Sequence, residues 1–363
     1  MTIFYVLAAL LMLGIMVTVH EAGHFFAARL TGIPVKQFAI GFGPKILKWK
    51  SKKHETEFSL RLIPAGGFCA FYGEDDVEGK EEKDPRALQN YNVWKRMLTI
   101  VMGPVMNFVL AFVVSVVFLG ISGVTYVTYG DRATVSGVTA GGAADLAGFK
   151  PGDIFVSVNG EDARGVSEDG GKYLLSDLLD RYGTDGAPIT VVVERAGEQK
   201  TLSVTPAVDE NGKAWLNITI SPEVLSRETV RLSAVDTITT SFKQCVAEGG
   251  AILTALKNLV FKGEGADQMG GPVAIVQMIT EETQAYGLSA YISLLIFISV
   301  NLGLVNLLPI PGLDGSRVVF LLIEAIRRKP VPQKIEAYIH MAGFFLLICL
   351  FLVLTWNDIA KLF

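Results

Sequence analysis

Four stretches of the chain are apolar almost throughout, at about 2–29, 94–122, 287–308 and 336–356. A hydrocarbon core of about 30 Å takes roughly 20 residues of helix to cross, so each stretch is long enough to span a bilayer. Between the second and third the pattern changes. Residues from about 124 to 232 are polar and glycine-rich, and they are numerous enough for a soluble domain. The first stretch opens without a basic region and has no small-residue cleavage site, so it reads as a retained membrane helix rather than a removable leader.

Shorter periods fill in the rest. "KQFAIGF" alternates Phe38, Ile40 and Phe42 with less apolar neighbours, and "EFSLRLI" alternates Phe58, Leu60 and Leu62 with Ser59 and Arg61. Period two on both sides of a basic turn predicts a β-hairpin or small sheet at the membrane. In the polar region, "GGAADLAGFKPGDIFVSVNGE" (141–161) predicts a short helix stopped by Gly148 and a turn at Pro151–Gly152. A strand from Ile154 to Val158 and a hairpin turn at Asn159–Gly160 follow. This run resembles the core of bacterial PDZ domains, and further strands are expected at "PITVVVER" and "KTLSVTPA". The segment 233–261 is amphipathic and is expected to lie against the outer membrane face.

Composition agrees with the pattern. Half of the 363 residues are hydrophobic. The net charge of −4 says little, because the charges are unevenly placed, but the absence of a basic stripe with interleaved aromatics argues against nucleic-acid binding. Cys69, Cys245 and Cys349 fall in three separate regions, which predicts no disulfide framework. Basic residues cluster after the first apolar stretch (Lys36, Lys45, Lys48, Lys50, Lys52, Lys53, Arg61, Lys95, Arg96). They cluster again between the third and fourth (Arg317, Arg327, Arg328, Lys329, Lys334). By the positive-inside rule both loops face the cytoplasm, which puts the termini and the soluble domain outside. The acidic run 74–84, "EDDVEGKEEKD", reads as a solvated part of the inner loop.

Within the first apolar stretch lies "VTVHEAGHFFAARL". His20 and His24 are four apart, so a helix stacks them on one face. This is the H-E-x-x-H arrangement, in which two imidazoles bind Zn²⁺ and Glu21 serves as general base. Ionisable groups at membrane depth cost at least ~2.5–3.5 kcal/mol each on insertion scales, and metal ligation accounts for all three together. A catalytic zinc keeps three protein ligands and one open position. The best third ligand is Asp314, in "NLGLVNLLPIPGLDGSRVVF", where Pro309, Pro311, Gly312 and Gly315 break the helix. Broken backbone at that depth survives only where it lines a cavity or is buried in protein. His340 in the fourth stretch is the rival.

These residues resemble a known family. "HEAGH" on the first helix with "NLLPIPGLDG" on a later one looks like the site-2 protease family of intramembrane zinc metalloproteases, and within it the bacterial RseP-type branch. "GFGP" (41–44), "IPAGGF" (63–68), "MGPVMNF" (102–108) and "GGPVAI" (270–275) are similar to its landmarks, in order. The resemblance implies that His20, His24 and Asp314 hold Zn²⁺ and that Glu21 is the catalytic base. It implies that Asn306, Pro309 and Gly67 contact substrate. It further implies a polytopic α-helical membrane protein of about four transmembrane helices, with a membrane-associated β-sheet and a single extracytoplasmic α+β PDZ domain. The expected divisions are 1–122 (first half of the membrane core), 124–206 (PDZ domain), 207–284 (extracytoplasmic linker with a strand and an amphipathic helix) and 285–363 (second half).

The expected place is the cytoplasmic (inner) membrane of a bacterium, with the site toward the cytoplasm. The expected activity is regulated intramembrane proteolysis of single-pass substrates such as anti-sigma factors or signal-peptide remnants, after a first cut by an upstream site-1 protease. The sheet edge would hold the unwound substrate by β-augmentation, and the soluble domain, tethered outside, would refuse bulky ectodomains. A non-proteolytic scaffold would have no need of Glu21, and a metal transporter would want a second intramembrane acidic cluster, so both rank below the protease.

Overall fold

The computed structural model describes residues 2–53, 55–73, 84–165, 174–208, 213–265 and 270–360; the acidic run, apart from Asp84, lies outside them. The chain divides into two compact units, one made of the residues up to Ser122 and from Leu232 onward, the other of Gly123–Arg231.

The first unit begins with α1 (Thr2–Thr31), followed by β1 (Val35–Lys50), β2 (Glu57–Phe71), a 3₁₀ turn (Leu88–Asn90) and α2 (Val93–Ser122). Helix α1 ends where Gly32 takes a left-handed φ of 78°. The Ile33 N–H then reaches back to Ala28 O at 2.8 Å, and Ile33 packs on Ala28, a Schellman stop with its hydrophobic contact. Strands β1 and β2 form the expected hairpin, but the ribbon doubles over. Residues 37–40 have Cα partners both in 57–60 and in 67–70. The fold-over needs Gly41 and Gly66, whose φ values of 86° and 120° suit only glycine. Its apolar face meets α1, where Phe25 lies edge-on to Phe38 and Phe58 at 5.3 and 5.7 Å.

The second unit runs β3 (Val124–Val138), α3 (Ala143–Ala147), β4 (Ile154–Val158), β5 (Glu161–Asp162), α4 (Leu174–Tyr182), β6 (Ile189–Arg195), β7 (Glu198–Val204), β8 (Ala207–Val208), β9 (Ala214–Trp215) and β10 (Ile218–Val230). Its main sheet has the order β10-β3-β4-β6-β7, with β5 beside β4. Gly148 caps α3 with a φ of 85°. The β4–β5 turn puts both Asn159 and Gly160 at positive φ (48° and 85°), the signature of a type I′ hairpin. Alternation along β6 sends Ile189, Val191 and Val193 into a core with Phe155, Leu175 and Leu178. Asp153 is fully buried and held by Arg195 at 2.6 and 2.7 Å.

The expected boundary at 206 needs correcting. Strand β10 pairs with β3 from Val124↔Val230 to Val138↔Ile218, so the unit runs on to Arg231 and the strand assigned to a linker belongs to the sheet.

The first unit resumes with α5 (Ala234–Lys262), α6 (Pro272–Tyr286), α7 (Leu288–Leu307), α8 (Asp314–Arg327) and α9 (Gln333–Ala360). Among the described residues α1, α2, α7 and α9 are long and apolar enough to cross a membrane, as the hydropathy pattern predicts. Helix α5 is the expected amphipathic helix. One face of it packs along α2 and α7: Ser115 Oγ donates to Gln244 Oε1 at 3.2 Å, and Ile252 is buried among Ala111, Ile296 and Val300. Helix α6, not foreseen, closes over α1, burying Ile279 with Ala9, Met12 and Met16. Its first turn is bound by the Asp358 carboxylate of α9, which accepts from the Gly271 and Ala274 N–H groups at 3.1 and 2.9 Å.

Candidate metal centre

Small residues bring the bundle helices together around the histidines. A side chain at Gly23 of α1 would strike the Met102 carbonyl of α2, one at Gly103 the His24 ring, and one at Gly303 of α7 the Pro104 carbonyl and the Phe108 ring. Without Cβ atoms at these points the backbones approach as membrane helices do at glycine. The face of α2 turned to α1 carries Thr99, Gly103 and Asn107 at a spacing of four, all buried.

His20 and His24, one turn apart on α1, are 7% and 6% exposed. Asp314 comes from the opposite end of the chain, as the first residue of α8. The connection from α7 turns at Leu308, Pro309 and Gly312, the last with a φ of 97°. It is braced by close approach: side chains at Gly315 and Gly343 would collide with the carbonyls of Leu307 and Pro311. In consequence Asp314 Oδ2 lies 3.0 Å from His20 Nε2 and 3.3 Å from His24 Nε2, and the two Nε2 atoms are 3.2 Å apart.

That triangle fits zinc. Ligand atoms about 2.0 Å from a tetrahedral metal are separated by about 3.3 Å. The outer nitrogens fit as well. His24 Nδ1 donates to Thr99 O at 2.9 Å, which leaves Nε2 with a free lone pair. His20 Nδ1 lies 3.1 Å from the Asn107 amide, whose Oδ1 is buried without a partner. Ligation through His20 Nε2 requires a proton on Nδ1, and the amide, rotated by half a turn, offers its oxygen to that proton. The Asn107 backbone carbonyl accepts from Ser299 Oγ at 2.8 Å, tying the arrangement to α7.

These groups open on a pocket of about 290 Å³ that also exposes Glu21, Cys69 and Asn306. The Cys69 N–H, on the edge of β2, bonds the Glu21 carboxylate. The structure thus gathers His20, Glu21, His24, Asp314 and Asn306 on one pocket. It does not bring Gly67 or Pro309 onto the wall. Gly67 pairs with Ile40, and a Cβ there would stand 2.6 Å from Ala39 O, so its role is close strand approach. His340 stays outside the ligand group; its Nδ1 accepts from the Gly312 N–H at 3.4 Å and so supports the loop that carries Asp314. Sequence reasoning missed Thr99, Asn107 and Ser299. The signal for the first two was present as the four-residue spacing of Thr99, Gly103 and Asn107 in a helix otherwise rich in valine and phenylalanine.

Comparisons with known proteins identify the family. Residues 8–350 match the model of peptidase family M50. The regulator of sigma-W protease RasP of Bacillus subtilis is 33% identical, over 99% of this chain and 99% of that protein. The zinc metalloprotease RasP of Bacillus licheniformis is 30% identical over the same shares. A solved PDZ domain of an SdrC-like protein from Listeria monocytogenes covers 26% of this chain and 92% of its own, at 19% identity and a TM-score of 0.21, too slight a likeness to carry an argument.

Proposed function

The chain belongs to peptidase family M50 and is a zinc metalloprotease, and from that premise we propose that it cuts membrane proteins within or beside their transmembrane segments. The observation that carries this reading is the convergence of His20, His24, Asp314 and Glu21 on one pocket inside a bundle of membrane-length helices. Bound by the two histidines and Asp314, zinc supplies a Lewis acid that acidifies water and polarises a peptide carbonyl. Glu21 takes the proton from the attacking water on a carboxylate oxygen and afterwards delivers it to the leaving amine nitrogen. The Cys69 N–H orients that carboxylate. Asn306, on the same wall, supplies an amide to the bound substrate, and Pro309 and Gly67 act behind the wall by shaping its loop and strand.

A helical substrate hides its carbonyls in its own hydrogen bonds and has to unwind first. The edge of β2 near Cys69 offers a strand for the unwound segment to pair with. Single-pass membrane proteins, including anti-sigma factors and signal-peptide remnants, are the substrates this reading calls for, after a first cut by another protease. The basic loops favour a pocket toward the cytoplasm and the 123–231 unit, read as PDZ-type, outside.

Glu21→Gln tests the reading. The amide keeps the shape but takes no proton, so cleavage of a transmembrane reporter should stop while zinc content and membrane insertion stay at wild-type levels. Wild-type turnover by this variant would remove Glu21 from the reaction.

A further inference from the structure

A second cavity, of about 500 Å³, adjoins the metal pocket, and Ile100, Gly312 and Arg317 stand on the walls of both. Its other walls include Gly73, the Leu88–Asn90 turn, α2, α8, α9 and the α8–α9 connection. Leu88, Leu321, Met341 and Phe344 make much of it apolar. The charges at its edge are largely cancelled, since Arg96 is ion-paired with Glu324.

Two buried nitrogens on these walls have no hydrogen-bond partner among the described residues, Gln89 Nε2 and His340 Nε2. Gln89 Nε2 is a donor by its chemistry. His340 Nδ1 lies 3.4 Å from both the Gly312 nitrogen and Ser316 Oγ; in the tautomer that accepts from the Gly312 N–H, Nε2 carries the proton, and Glu336 Oε1, 3.7 Å away, is beyond hydrogen-bond reach. A buried donor left unpaired is costly, so such a site favours an acceptor. The cavity therefore suits a ligand that is apolar in its side groups and rich in acceptors, without net charge. An unwound transmembrane peptide has that chemistry, because leaving the helix frees its carbonyls.

The strand edge leads there. Phe68, Cys69 and Phe71 of β2 line the metal pocket, and Gly73, two residues on, lines the second cavity. A chain laid along that edge past Glu21 continues into it. We propose that this cavity is the subsite for the substrate residues on one side of the scissile bond, with their carbonyls held by Gln89 and His340 and their side chains by the apolar wall. The proposal rests on the reading of the chain as a protease of unwound transmembrane segments.

Ala337 stands on the cavity wall, so Ala337→Trp fills it without touching the metal ligands. The assay uses the full-length enzyme in detergent and peptides built on one mapped cleavage site. One extends about six residues to each side, and two others are cut back to about two residues on one side or the other. Wild-type enzyme should lose about tenfold in kcat/KM on one truncated peptide, because remote contacts contribute to turnover. Ala337→Trp should lose about tenfold on the long peptide, mainly in KM, yet match the wild type on that truncated peptide, with unchanged zinc content. Gln89→Leu should show the same selectivity at about threefold. If neither variant distinguishes long from truncated peptide, the cavity is not a substrate subsite. If the wild type itself cleaves none of the peptides, the reading of cleavage at unwound transmembrane segments fails, and the subsite with it.

Discussion

Replacing Gly103 by alanine puts a methyl group where α2 passes the His24 imidazole. A Cβ at that position would lie 2.9 Å from His24 Cδ2 and closer still to Cε1 and Nε2; ordinary carbon contacts are about 3.5–4.0 Å. The ring has little freedom to move aside, because its Nδ1 is held on Thr99 O at 2.9 Å. Nor can α1 settle elsewhere on α2 without losing the approach at Gly23. Relief needs a displacement on the order of 1 Å, at an overpacking cost of about 1–3 kcal/mol. Metal sites keep their ligand distances within about 0.2 Å, and losing only an orienting hydrogen bond already weakens binding about 10–100-fold. Gly103→Ala should therefore lower zinc affinity by about 100-fold or more, which is ~2.7 kcal/mol. Competition with a chelator on the detergent-purified protein measures this, with circular dichroism to check that the helices are intact. Gly120→Ala is the control on the same helix, since its Cβ would meet only Thr237 Cγ2, at 3.8 Å. Zinc affinity within about threefold of the wild type in Gly103→Ala would refute the reasoning.

Three more outcomes are expected. Asp314→Ala should lower zinc content and activity together, whereas His340→Ala should retain zinc; metal analysis of both variants decides between the two, and the reverse pattern would move the ligand role to His340. Replacing the 123–231 unit by a few Gly/Ser residues should let the enzyme cut a reporter that still bears its folded ectodomain. The junction is short because Val124 and Val230 are paired strand residues, about 5 Å apart; continued refusal of the full-length reporter by a variant active on a trimmed one would place the gate elsewhere. Arg195→Met should expose the 123–231 unit to hydrogen exchange by about 3 kcal/mol, since it strips a buried carboxylate of its partner. Burial pushes the Asp153 carboxyl up, but the Arg195 guanidinium and the Lys150 N–H outweigh it and hold the carboxyl below its usual range. A depressed carboxylate stabilises the fold above about pH 4 and loses that contribution as the pH falls through its folded value, so protection of this unit in the wild type should fall on acidification below that point.

What was legible in the sequence is what a few neighbouring residues decide together. The four membrane helices follow from runs of apolar residues, and the type I′ turn from the dipeptide Asn159–Gly160. His20, Glu21 and His24 needed only the period of one helix to share a face. Asp314 stood out because Pro309, Pro311 and Gly312 break a helix where broken backbone demands a reason. Everything that joins distant segments had to wait for the tertiary structure. Asp314 rather than His340 lies within reach of both histidine Nε2 atoms because Gly315 and Gly343 allow α7, α8 and α9 to close on the turn, and no local pattern measures that approach. Asn107 and Thr99 read as incidental polar residues until α2 lies against α1. Strand β10 looked like linker because its partner, β3, is nearly a hundred residues earlier, and Pro222 interrupts its alternation. The moment of helix α5 records that two faces differ, while only packing against α2 and α7 says what one of them touches. A periodic pattern reports the environment of each side of an element, whereas the choice of neighbour depends on shape and on which backbones can come close, and that is set by residues far apart in the chain.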